Sequence, residues 1–352
     1  MRTPSDRRPA FTSSGRPLMR GTVGYAAAIA AFHLVGVALL ISASSAHPAI
    51  VGIGFIAYTL GLRHAFDADH VAAIDGVVRK LVQERRPSLG VGFYFSLGHS
   101  SVVCIMALVA ASVTGLATAL PFMRSIGGLV GTLVSGGFLL LIGIVNLVVW
   151  FEIFVLFQKM RKGSADCENL DRLLGSRGLI ARFAGPLFRL VTSSRQAYPI
   201  GFLFGLGFDT ASEIALLAIS VAAVASALPI AAVVALPLLF AAGMTMMDTL
   251  DGILMTRAYD WAFSTPLRKI YYNLTVTGLS VTTAFGIGVL QLGSLLTHSP
   301  GGVWSGLLQL DFTTIGVGLV ALFALAWVLA YGAWRFLHLE ERSTQTLGQS
   351  VE

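Results

Sequence analysis

Eight long apolar runs recur along this 352-residue chain, and they limit its folding more than any motif does. A hydrocarbon core of about 30 Å is crossed by about 20 helical residues at about 1.5 Å each. The runs cover 22–44, 49–78, 89–115, 126–156, 199–226, 229–256, 270–295 and 311–334. In lipid each backbone polar group must be satisfied within its own segment, which makes helices of such runs. The expected fold is all-α, a polytopic integral membrane protein with eight transmembrane helices. With 55% hydrophobic and 12% charged residues, a soluble globular domain is excluded.

Lys and Arg fix the expected orientation, because basic loops stay cytoplasmic. The N-terminal segment 1–21, "RKLVQERR" at 79–86, "LRK" at 267–269 and the tail 335–352 are basic. The loop 157–198 carries eight Lys/Arg against three Asp/Glu. The alternate loops hold only Arg124, His47 and His298. Helices 1–4 within 22–156 and helices 5–8 within 199–334 therefore flank a cytoplasmic loop, with both termini cytoplasmic. The first run exceeds the length of about 7–15 residues of a secretory h-region, so a retained first helix is expected. Orientation also accounts for the net charge of +6 and pI of 9.6, and no aromatic-interleaved basic motif points to nucleic acid. Cys104 and Cys167 lie in different segments and form no C-x-x-C site.

Against that apolar background, seven of the 18 acidic residues fall inside the runs: Asp67, Asp69, Asp75, Asp209, Glu213, Asp248 and Asp251. Uncompensated, they would cost on the order of 20 kcal/mol at insertion-scale values. Protons, Arg63 or a bound cation must offset them. Ionisable residues at membrane depth mark ion or substrate paths, and seven carboxylates with three histidines exceed what helix–helix hydrogen bonding requires.

The residues form four clusters. "GLRHAFDADH" (61–70) sets His64, Asp67 and His70 within about 120° of helical arc and Asp69 about 140° from His64. On a regular helix His64 and His70 are about 9 Å apart, so either the helix kinks near Gly61 or the residues serve successive positions along a path. "FYFSLGHSSVV" carries Ser96, His99 and Ser100. "FGLGFDTASE" stacks Asp209 over Glu213 at i, i+4, an arrangement that repels unless a proton or a cation intervenes. "GMTMMDTLDG" aligns Thr245, Asp248 and Asp251, while Met244, Met246 and Met247 read as packing. His64 to His70, His99 and Asp209 to Glu213 lie near mid-run, whereas Asp248 and Asp251 lie nearer the cytoplasm. "YTLGLRHAFDADH" and "FLFGLGFDTASE" faintly echo each other on helices of opposite direction, as an inverted repeat would.

Imidazole with carboxylate suits Ni²⁺, Co²⁺, Zn²⁺ or Fe²⁺, whereas Cu⁺ would draw sulfur and Ca²⁺ or Mg²⁺ an all-oxygen shell. Ligand type alone chooses no further. The four motifs, in this order on runs two, three, five and six, resemble the signature sequences of the NiCoT family of nickel/cobalt permeases over residues 22–335. The resemblance implies an inner-membrane carrier of Ni²⁺ and/or Co²⁺, with the ion as transported substrate and no cofactor. It implies that His64, Asp69 and His70 are essential and that His99, Asp209, Glu213, Asp248 and Asp251 complete the signature. The helical wheel separates Asp69 from the others, so Asp67 stands as the alternative ligand, with Asp69 holding a histidine tautomer. His33 matches no motif and reads as structural; His47 and His298 read as solvated loop residues.

An inside-negative potential drives a divalent cation inward by about 4.6 kcal/mol per 100 mV, and no G-x4-G-K-[ST] motif signals ATP hydrolysis. A di-iron membrane enzyme would need more histidines, and no H-E-x-x-H helix occurs. An exporter of the related resistance type would be expected to carry a His-rich cytoplasmic loop, but 157–198 contains no His.

Overall fold

The computed structural model describes residues 15–112, 116–161, 191–207, 210–262, 266–296 and 312–336. Ten α-helices and no strand occur among them: α1 Gly15–Ser44, α2 Ile50–His64, α3 Ala68–Gln83, α4 Val91–Ser112, α5 Leu116–Arg161, α6 Ala197–Phe204, α7 Ala211–Ala225, α8 Ile230–Ala262, α9 Pro266–Leu296 and α10 Phe312–Phe336. Each of the eight apolar runs is helical, but runs two and five are each broken in two. Five helices are long and apolar enough to cross a membrane, and α2, α7 and α10 contain shorter apolar stretches. Leu34, Phe55 and Leu329 are exposed on the outside, while Ser96, His99, Glu213, Thr245 and Asp248 are buried inside. That distribution is what a lipid solvent selects.

The break in the second run falls at 65–67, beyond Gly61. Two tight turns, Phe66 N–H to Arg63 C=O and Asp67 N–H to His64 C=O, end α2. Asp67 is then extended (φ −65°, ψ 139°) before α3 begins. No Gly or Pro lies in this turn. The second break follows Gly205 and Gly207, and Thr210 is likewise extended (φ −91°, ψ 145°) ahead of α7.

Glycines let these broken helices press against straight ones, backbone to backbone. A Cβ on Gly61 would overlap the Phe240 carbonyl of α8, and one on Gly201 would overlap the Phe95 carbonyl of α4. Reciprocally, Gly243 of α8 meets Tyr58 and Leu62 of α2, and Gly98 of α4 meets Tyr198 and Phe202 of α6. Tyr58, Gly61 and Leu62 are thus spaced as Tyr198, Gly201 and Phe202, and Phe95 and Gly98 as Phe240 and Gly243. The two units run in opposite directions: α6 starts where α3 ends, with Lys80 and Arg86 donating to the carbonyls of Val191 and Thr192. The faint sequence echo is therefore an inverted structural repeat, of the kind that places a site at the repeat interface.

Arg63, one of the groups weighed as an offset to the carboxylates, lies on an exposed face of α2. One expectation from the sequence is corrected. Arg79 and Lys80, read as loop residues, belong to α3 and are fully buried. The polar-free stretch Val77–Val78 ahead of them continues the helix, and Tyr259 of α8 lies beside Arg79.

Candidate metal centre

The break after α2 turns His64 back over the start of α3, so that the rings of His64 and His70 come within 4.7 Å, centre to centre. From the neighbouring α4, His99 completes a triangle, 4.8 Å from His64 and 4.7 Å from His70. All three are buried, and their nearest ligand atoms lie within 4.8 Å of one another. A regular helix would have kept the first two apart; the turn removes that obstacle.

The α7 residue Glu213, placed one turn past the second break, points to the same spot. His99 Nε2 is 2.9 Å from His64 Nε2 and 2.9 Å from Glu213 Oε1, and His64 Nε2 is 3.8 Å from that oxygen. Adjacent ligands of one ion with bonds of about 2.0–2.1 Å are about 2.9–3.4 Å apart, close to these separations. His64 Nδ1 lies 2.9 Å from Asp67 Oδ2, and Thr313 of α10 donates to Asp67 Oδ1 at 2.7 Å. A carboxylate on Nδ1 favours the tautomer with its proton there, leaving the Nε2 lone pair facing the centre. Ser212 Oγ, 3.2 Å from His64 Nδ1, and Thr210, donating to Glu213 Oε2 at 3.0 Å, brace the same side chains.

His70 Nδ1 is 3.4 Å from Asp248 Oδ2 of α8, while His70 Nε2, His99 Nδ1 and Asp248 Oδ1 are buried with no hydrogen-bond partner among the described residues. Buried polar atoms left so are costly unless something further engages them. Asp251, one turn beyond Asp248, has both carboxylate oxygens buried with no hydrogen-bond partner among the described residues, and it interacts electrostatically with Asp248 and Asp75. Ser96 donates to Thr245 at 3.2 Å beneath the imidazoles.

The structure thus gathers His64, His70, His99, Asp67, Glu213 and Asp248, with Asp251 one turn away. Asp69 faces elsewhere: its Oδ1 accepts the His70 backbone N–H at 3.0 Å and its Oδ2 accepts from Gln291 of α9 at 3.2 Å. Of the two, Asp67 is the one hydrogen-bonded to a histidine ring among the described residues. Asp209 lies outside the described residues. His33 sits apart on α1, 2.8 Å from the Ile29 carbonyl and 3.3 Å from the Tyr58 hydroxyl.

Thr313 had no sequence signal beyond a Thr-Thr pair in an apolar run. Its hydroxyl fixes Asp67, so Thr313→Val should weaken Ni²⁺ binding about tenfold, the lower end of the effect of removing an outer partner of a ligand. Titration calorimetry on detergent-purified protein measures this, and unchanged affinity would deny Thr313 that role.

Comparison with known proteins bears on what this arrangement handles. Residues 50–332 match a family model, NicO, described as high-affinity nickel-transport protein. The chain is 48% identical over 322 residues to "Nickel transporter NixA" of Staphylococcus aureus, covering 90% of this chain and 95% of that one. It is 47% identical over 335 residues to "Nickel transporter NicT" of Mycobacterium tuberculosis, with 90% of each covered. It is 40% identical over 350 residues to "Cobalt transport protein NhlF" of Rhodococcus rhodochrous, covering 96% and 97%. No solved structure is matched.

Proposed function

Because the chain belongs to the NicO family of high-affinity nickel-transport proteins, we propose that it is a multi-pass cell-membrane carrier importing Ni²⁺, with Co²⁺ as a second substrate. The observation that carries this reading is the convergence of His64 Nε2, His99 Nε2 and Glu213 Oε1 at one buried point between two broken helices. Two imidazoles and a carboxylate replace part of the water shell of a borderline divalent ion. His70 and Asp248 offer the next ligands, and Asp251 continues the acidic path toward the basic-loop side.

The inverted repeat supplies the motion. Each broken helix packs by glycine contacts on a straight helix of the other half, so rocking one half against the other would expose the site to each face in turn. The basic loops put the α3 end of the path in the cytoplasm. Membrane potential then favours inward movement of the ion without ATP.

Uptake of ⁶³Ni²⁺ by cells expressing the chain tests the assignment. A tenfold excess of Co²⁺ is expected to remove about half of the uptake or more, whereas Mg²⁺ and Ca²⁺, which favour all-oxygen shells, leave it unchanged. Equal inhibition by Mg²⁺ would contradict a nitrogen-containing site.

A further inference from the structure

Below the imidazoles, toward the end of α3, is a charged cluster that the metal centre does not use. Arg79 is completely buried, and all three guanidinium nitrogens lack a hydrogen-bond partner among the described residues. Its Nη2 lies 3.7 Å from Asp75 Oδ2, beyond hydrogen-bonding range. Asp75 is held instead by the hydroxyls of Tyr259 and Ser280, from α8 and α9. The guanidinium also lies 6.0 Å from the centre of the Tyr259 ring. Lys80, also buried, is engaged by Glu84 and the Val191 carbonyl.

An arginine that serves only to lock a fold makes forked, short bonds to its carboxylate. Arg79 is held by charge and not by such bonds, next to an acidic series running from Asp248 through Asp251 to Asp75. Its guanidinium therefore stands as a buried positive group beside that acidic series.

We propose that Arg79 is a tethered counter-cation: it neutralises Asp75 when the path is empty, and so permits the empty carrier to return. It is a positioning residue, acting on the acidic series and not on the ion. Without it, Asp75 is an uncompensated charge at low dielectric that only the ion can neutralise, so the loaded carrier still moves while the empty one is penalised. This inference rests on the transport reading above.

The test is performed in proteoliposomes. Net ⁶³Ni²⁺ uptake requires return of the empty carrier; exchange of external ⁶³Ni²⁺ for internal Ni²⁺ does not. Arg79→Gln is expected to slow net uptake about tenfold while exchange stays within about twofold of the unsubstituted chain. Asp75→Asn combined with Arg79→Gln removes both charges and is expected to restore most of the net uptake, and it carries the test alone if the single variant does not reach the membrane. Parallel loss of exchange and net uptake in Arg79→Gln, unaltered net uptake, or failure of the double variant to transport overturns the inference. No exchange by the unsubstituted chain would overturn the transport reading itself.

Discussion

Cells expressing His64→Ala will accumulate ⁶³Ni²⁺ at least about a hundredfold less than cells expressing the unsubstituted chain, since loss even of an outer partner costs about 10–100-fold in affinity. His64 stands at the meeting of three devices: its Nε2 faces the centre, its Nδ1 is fixed by Asp67, and its place at the end of α2 depends on the break. Alanine removes the ligand and also leaves Asp67 and Glu213 facing one another without the ring between them. Calorimetry on the purified variant should show no Ni²⁺ binding at concentrations that saturate the unsubstituted protein. His33→Ala provides the contrast, because its ring only bridges α1 to Tyr58, and it should retain uptake. Normal accumulation by His64→Ala would remove the basis of the site.

The second large effect is expected far from any ligand. Gly316 of α10 lies against the turn that breaks the second run, where a Cβ would overlap the Phe66 carbonyl and approach the Ala68 nitrogen. A leucine there has a backbone, not a flexible side chain, in its way. Such overpacking costs about 1–3 kcal/mol, and the relief open to the structure is to move α10 outward. That displacement takes Thr313 away from Asp67 and loosens the His64 ring. Gly316→Leu should therefore lower both the melting temperature in detergent and Ni²⁺ uptake, the latter at least about tenfold by loss of ligand orientation. Gly318, two residues on, faces open space and supplies the matched control. Gly318→Leu should leave uptake intact and melt no lower, since leucine is the better helix former by up to about 1 kcal/mol. Equal behaviour of the two variants would show that the α10 contact does not hold the turn.

Much of this protein was legible in its residues. Apolar length defined the helices, and charge expelled from the outer loops suggested an orientation. The imidazoles and carboxylates inside apolar runs singled themselves out because burying them in lipid without a purpose is too costly. The second break was not expected from the run 199–226, although Gly205 and Gly207 stand where it falls. Arg79 misled, because four basic residues in "RKLVQERR" resemble a loop; Arg79 is buried beside Tyr259 of α8 and Lys80 against the Val191 carbonyl, contacts that no local pattern announces.

Sequence by itself determined that the chain is a bundle of membrane helices with a divalent-metal chemistry in its interior, because hydrophobic length and ligand type are properties of residues taken one at a time. Only the tertiary structure decided which of those groups meet. The turn at 65–67 contains no breaker, and its shape comes from Asp67 reaching both His64 and Thr313, residues of two different helices. A bond between groups remote in the chain leaves no local periodicity to read, and that bond brings His64 onto His99 and turns Asp69 away.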